Sequence, residues 1–183
     1  MFARLAEKRL SPQDNDRPGY FVRLCRLSDG ERLPLLVDNR GIPVPRPNQY
    51  AIFLRRPQLQ ATSLKDELQT LAHLYDWADR RGLALDERLE SGNGLMPDEI
   101  ASLYQNLRYS RRFGRVNASR RLVEVKTPDI VSTNAHLARV CVARGFLVWA
   151  MERTLYSLDV EDARYHPIRC LLYTSPSPRD RQK

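Results

Sequence analysis

Residues 64–78 read LKDELQTLAHLYDWA, and the stretch decides how the rest of the chain is read. Leu64, Leu68, Leu71, Tyr75 and Ala78 fall at i, i+4, i+7, i+11 and i+14, one apolar face of an α-helix. Thr62 and Ser63 precede it, and Ser63 with Asp66 three residues on has the form of a capping box. Gly82 suits the C-terminal stop.

Working outward, the pattern stays helical on the C-terminal side. Residues 86–89 fit one short turn. Pro97 opens a helix with Ile100, Leu103, Tyr104 and Leu107 as its stripe. Ser132 or Thr133 caps a long helix over 134–158, with Leu137, Val140, Cys141, Arg144, Val148 and Met151 expected near one face. Gly145 inside it costs about 1 kcal/mol against Ala and so marks close packing. On the N-terminal side, residues 47–56 suit a helix with Pro47 in its first turn.

Before that the period changes to two. Residues 20–27, YFVRLCRL, alternate apolar and basic side chains, a strand signal. A turn with an Asp29-Gly30 pair leads to a second strand at 32–37, which Pro34 places toward a sheet edge. Seven of the 12 prolines fall between Pro12 and Pro57, which excludes long helices there. The expected fold is mainly α: a small N-terminal β-hairpin followed by an orthogonal bundle of about four or five helices. The expected organisation is a flexible arm over 1–18, the hairpin region over 19–46, a helical domain over 47–158 and a junction over 159–169.

The last residues break from this composition. CLLYTSPSPRD, residues 170–180, resembles the conceptual translation of a sequencing-library adapter. Residues 170–183 are therefore set aside from fold reasoning, and the natural product is expected to continue past Arg169.

The chain has 183 residues, which bounds it to one domain or a compact domain with arms. No apolar run approaches the roughly 18 residues of a membrane span, and residues 1–10 lack the apolar core of a secretory signal. A cytoplasmic location is the expectation, with no membrane partner. Cys25, Cys141 and Cys170 form no C-x-x-C pair, and His73, His136 and His166 have no ligand spacing, so neither metal nor cofactor is expected. There is no Gly-rich phosphate loop and no nucleophile–base pair, which leaves a small-molecule enzyme without support.

The formal net charge is +8. Its distribution says more than its size. Residues 108–126, RYSRRFGRVNASRRLVEVK, hold Arg108, Arg111, Arg112, Arg115, Arg120, Arg121 and Lys126 against Glu124 alone. Tyr109 and Phe113 interleave with them. Arginines with small polar neighbours are what contact phosphate oxygens. The other reading of the segment is a solvated basic linker between helices.

The order of elements resembles the N-terminal part of the tyrosine site-specific recombinases, the phage-integrase family. The resemblance rests on GERLPLLVDNRGIPVPRPNQYAIFLRR, on residues 63–108, and on STNAHLARVCVARGFLVWA, and covers about 20–155. Trp77-Ala78-Asp79-Arg80-Arg81-Gly82-Leu83 matches a phrase closing the family's first long helix, and Phe146-Leu147-Val148-Trp149-Ala150 its last helix. The resemblance implies a SAM-like core-binding domain that grips duplex DNA, with the parent assembling as a homo-oligomer on it. It implies contacts from Thr62, Ser63 and Lys65 at one helix start and from Arg108, Arg111, Arg112, Arg115, Arg120 and Arg121. Thr133, Asn134 and Arg139 at another helix start complete the set.

The family's reaction uses a tyrosine nucleophile and a cationic set in a following catalytic domain, without a metal. This chain offers no match for that domain, so no strand transfer is expected of it. His136-Leu137-Ala138-Arg139 matches the family's His-x-x-Arg literally, and Tyr165 follows, but no companion arginine box precedes it. Trp77 and Trp149 are expected as core anchors, His73 at the core edge, and Tyr104 and Tyr109 as packing residues. The alternative function is a non-enzymatic helical module that binds protein.

Overall fold

The computed structural model describes residues 19–28, 30–110 and 129–173. The expected arm over 1–18 and the end of the tail lie outside the described residues. The protein is mainly α-helical with a two-stranded antiparallel hairpin before the helices.

Strand β1, Tyr20–Arg26, pairs with β2, Arg32–Asp38, from Tyr20 opposite Asp38 to Arg26 opposite Arg32. Alternation makes the ribbon, and glycine makes its turn. The Leu27 N–H donates to the Glu31 carbonyl at 2.8 Å and the Gly30 N–H to Leu27 at 3.0 Å. Gly30 sits at φ +87°, a conformation open to glycine and strained for other residues. Beyond β2, the Asp38 carboxylate accepts the Arg40 and Ile42 backbone N–H groups at 2.9 and 2.8 Å and folds the chain back.

Helix α1, Pro45–Gln49, starts two residues before the expected position and runs straight into a π-helical segment, Tyr50–Arg55. Its buried Asn48 binds it to the sheet. The side chain accepts the Leu36 N–H at 2.8 Å and donates to the carbonyls of Leu36 and Val44, each at 2.7 Å. An amide that matches both groups of a strand residue leaves no buried polar atom unpaired.

Helix α2, Ala61–Arg80, buries Leu64, Leu68, Leu71, Tyr75 and Ala78, the face its period predicts. Its start differs from expectation. Gln60 is the N-cap, no side chain caps the helix, and Ser63 and Asp66 lie inside it. Pro57 closes the preceding helix, and the chain turns helical again at Ala61, before Ser63 is reached. At the other end Gly82 adopts φ +65°, with its N–H on Asp79 O and the Leu83 N–H on Ala78 O, each at 2.9 Å.

The remaining helices are α3, Leu85–Glu90; α4, Pro97–Asn106; α5, Thr133–Ser157; and α6, Tyr165–Tyr173. Among the described residues, five α-helices fall between 45 and 158, and α6 follows. Helix α6 runs through the expected boundary at 169/170, burying Ile168 and setting Leu172 against the core.

The core lies between α2, α5 and the hairpin. Leu36, Leu64, Leu68, Leu71, Leu74, Leu89, Leu107 and Phe146 are fully buried. Each such side chain stabilises by about 1.5–3 kcal/mol. Tyr50 meets Phe146 and Trp149 edge-on at 5.6 and 5.4 Å between ring centres. Gly145 stands where the Tyr50 hydroxyl approaches, 3.2 Å from the position of a Cβ, the close packing its presence predicts. Trp77 is buried and Trp149 half-buried against the core. His73 is 5% exposed, inside the core rather than at its edge.

Two expected faces are corrected. On α5 the buried side is His136, Ala143, Phe146, Ala150, Met151, Thr154 and Leu155, whereas Leu137, Cys141, Arg144 and Val148 are exposed. Small residues at 143 and 150 let this side approach its neighbours closely, and Thr154 Oγ1 donates to the Leu89 carbonyl of α3 at 2.8 Å. On α4, Leu103 and Leu107 are buried while Ile100 and Tyr104 are exposed. Tyr104 and Tyr109 therefore show much of their surface to solvent, at 42% and 38% exposure.

Candidate nucleic-acid interface

The basic segment begins at the C-terminal end of α4. Leu107 is buried, Arg108 is exposed, and Tyr109 forms an antiparallel bridge with Ile130. The Ser110 N–H donates to Asp129 O at 2.6 Å and the Val131 N–H to Arg108 O at 3.0 Å. Two hydrogen bonds thus fasten the outgoing and returning chains side by side. Residues 111–128 lie between them, so Arg111, Arg112, Arg115, Arg120 and Arg121 lie outside the described residues.

Helix α5 holds this base. Ser132 caps it, accepting the Ala135 N–H at 3.3 Å. One turn on, His136 is buried, its Nε2 2.9 Å from Tyr104 O and its ring edge-on to Tyr104 at 4.5 Å. Since a carbonyl only accepts, Nε2 carries the proton. Arg139, one turn further, donates through Nη1 to Leu107 O at 3.2 Å and to Tyr109 O at 2.8 Å. A cation on the last carbonyls of α4 is favoured by the helix dipole. Burial lowers the Arg139 pKa from its ordinary value. The His-x-x-Arg pair is therefore a structural clamp on α4 at the atoms just named. Thr133 and Asn134, in the first turn of α5, are exposed, and that turn carries no acid.

A third arginine reaches the same corner. Arg80, in the last turn of α2, donates through Nη2 to Asn106 Oδ1 at 3.3 Å and through Nε to Asp76 O at 3.1 Å. Arg81 beside it donates to Ser102 Oγ at 2.6 Å and lies over the Trp77 ring. Sequence reasoning missed Arg80. Its place in the last turn of α2 was a signal for helix capping, not for proximity to α4.

Thr62, Ser63 and Lys65 do not join this group. They occupy the first turns of α2, Thr62 and Ser63 exposed and Lys65 half-buried. Arg80 is at the other end of the same helix, about 27 Å away by helical rise. The expected contacts thus divide between the two ends of α2.

Among the described residues, no group of three or more His, Cys, Asp or Glu is placed to hold a metal, and Cys25, Cys141 and Cys170 form no disulfide with one another. No described helix is long and apolar enough to cross a membrane. An open apolar cleft between α5 and α6, lined by Leu155, Leu158, Val160 and Tyr165, lies away from the loop base. Compared with known proteins, the chain matches no family model, no curated protein and no solved structure.

Proposed function

We propose that the chain is the DNA-gripping part of a tyrosine recombinase, holding duplex DNA mainly through phosphates. The observation that carries this reading is the pinned base at Ser110 and Asp129, between which the sequence holds six cations and one acid. Arg108, Thr133 and Asn134 are exposed at that base. Phosphate contacts of this kind fix position on the duplex and carry little sequence information. The double-stranded DNA partner, the assembly of the parent on it, and its part in DNA integration belong to this proposal.

Fluorescence anisotropy against duplex DNA over a salt series tests it. Each phosphate neutralised contributes about 0.9 to the slope of log affinity against log salt. Replacing Arg111, Arg112 and Arg115 together by Ala is expected to lower that slope by up to about 2.7. A flat salt response of the wild-type chain overturns the reading.

A second reading, a helical protein-binding module, has one observation in its favour. Met96 at the N-cap of α4 and Ile100 and Tyr104 within it are exposed at i, i+4 and i+8. In that case the triple replacement leaves partner binding unchanged.

A further inference from the structure

We propose that the tip of the β1–β2 hairpin is a second phosphate contact for duplex DNA, the phosphate being held between Arg26 and Arg32. The inference rests on the DNA-binding reading and adds to it a surface at a separate place in the fold.

Arg26 and Arg32 are paired across the antiparallel ribbon, and both are exposed. Like charges directly opposite on a sheet are destabilising, so the pair costs stability in the free protein. Neither arginine forms an ion pair among the described residues. The acids nearest in sequence are Glu31 and Asp29. Glu31 is bound by Arg56 through both guanidinium nitrogens Nε and Nη2. Asp29 lies outside the described residues. The third acid of the hairpin, Asp38, is at its far end, where its carboxylate holds the Arg40 and Ile42 N–H groups.

An anion between the two guanidinium groups turns their repulsion into attraction. Guanidinium suits phosphate because its planar fork donates two parallel hydrogen bonds. The shape agrees with the charge. Tyr20 and Val22, near the start of β1, pack against the core, whereas Leu24, two residues before Arg26 on the same face, is 48% exposed. The tip is nonetheless seated on the fold, with Leu27 packed against the core, Leu33 buried in it and Glu31 held by Arg56, so Arg26 and Arg32 are presented from a fixed base.

The test compares three full chains against duplex DNA over a salt series: wild type, Arg26→Gln with Arg32→Gln, and the Arg111, Arg112, Arg115 triple Ala variant. The hairpin variant is expected to bind about tenfold more weakly at low salt, with the slope lowered by about 0.9, one phosphate's worth. Its Tm is expected to equal or exceed wild type, since the like-charge pair is gone, which separates lost contact from lost fold. Wild-type affinity and slope in the hairpin variant, with weakened binding in the loop variant, overturn the hairpin site and leave the loop reading standing. Loss of binding only to phosphatidylserine vesicles also overturns it. A wild-type chain with no salt-dependent affinity for DNA overturns both.

Discussion

Arg139 donates to the Tyr109 carbonyl at 2.8 Å, across thirty residues of sequence, and in doing so ties α5 to the root of the basic segment. The same nitrogen reaches Leu107 O, the end of α4. Replacing Arg139 by Met keeps the stem and removes the donors. The expected cost is about 1–2 kcal/mol of stability, because the partly buried Leu107 carbonyl and the exposed Tyr109 carbonyl lose a charged partner. Lysine is expected to restore only part of it, since a single ammonium lacks the fork. Urea denaturation measures the stability. The salt slope of DNA binding is expected to change by less than one phosphate's worth, which separates a clamp from a direct contact.

The contact of Gly145 with Tyr50 yields a double-mutant test. Alanine at 145 gains about 1 kcal/mol of helix propensity. Its Cβ would stand 3.2 Å from the Tyr50 hydroxyl, whose ring is wedged between Phe146 and Trp149. Overpacking of this kind costs about 1–3 kcal/mol. Gly145→Ala is expected to destabilise the wild type and to stabilise the Tyr50→Phe background, where the hydroxyl is gone. Thermal denaturation of the four proteins in the cycle reads the coupling.

Glu99 supplies the pH prediction. Its carboxylate accepts the Met96 N–H at 2.8 Å, and Arg88 donates to both oxygens at 2.6 Å. The Met96 hydrogen bond first, and the Arg88 bond after it, hold the Glu99 pKa below the ordinary glutamate value. A carboxyl lowered on folding contributes stability above its unfolded pKa and loses that contribution as pH falls through the folded pKa. Glu99→Gln is therefore expected to cost about 1–2 kcal/mol at neutral pH. The difference from wild type is expected to shrink on acidification below the ordinary glutamate pKa and to vanish below the folded one. Urea midpoints across that range check it.

Much of the fold was legible because local rules agreed with the tertiary arrangement. The period of α2, the glycines at 30 and 82, Pro97 at the first position of α4 and Ser132 at the cap of α5 each state a boundary or a face in their own neighbourhood. The candidate site was legible only in part. Charge counting found the segment from Arg108 onward, but not that Arg139 serves α4 and that Arg80 reaches the same corner. Those facts depend on which helix ends meet, and no spacing along the chain encodes that meeting.

Helix α5 shows where the division falls. Its sequence determines that it is a helix and where it starts, yet apolar residues surround it: Leu137, Cys141 and Val148 on one side, Ala143, Phe146 and Ala150 on another. With two apolar stripes, periodicity alone does not choose the buried one. In α2 the stripe from Leu64 to Ala78 was legible in advance, but the burial of the C-terminal half on every side, Thr70 to Ala78, was decided by the tertiary structure as well. For α5 the tertiary structure decided, because the stripe with small residues beside Phe146 lets α2 and the π-helical segment come close. The wider stripe, left in solvent, could not approach as near.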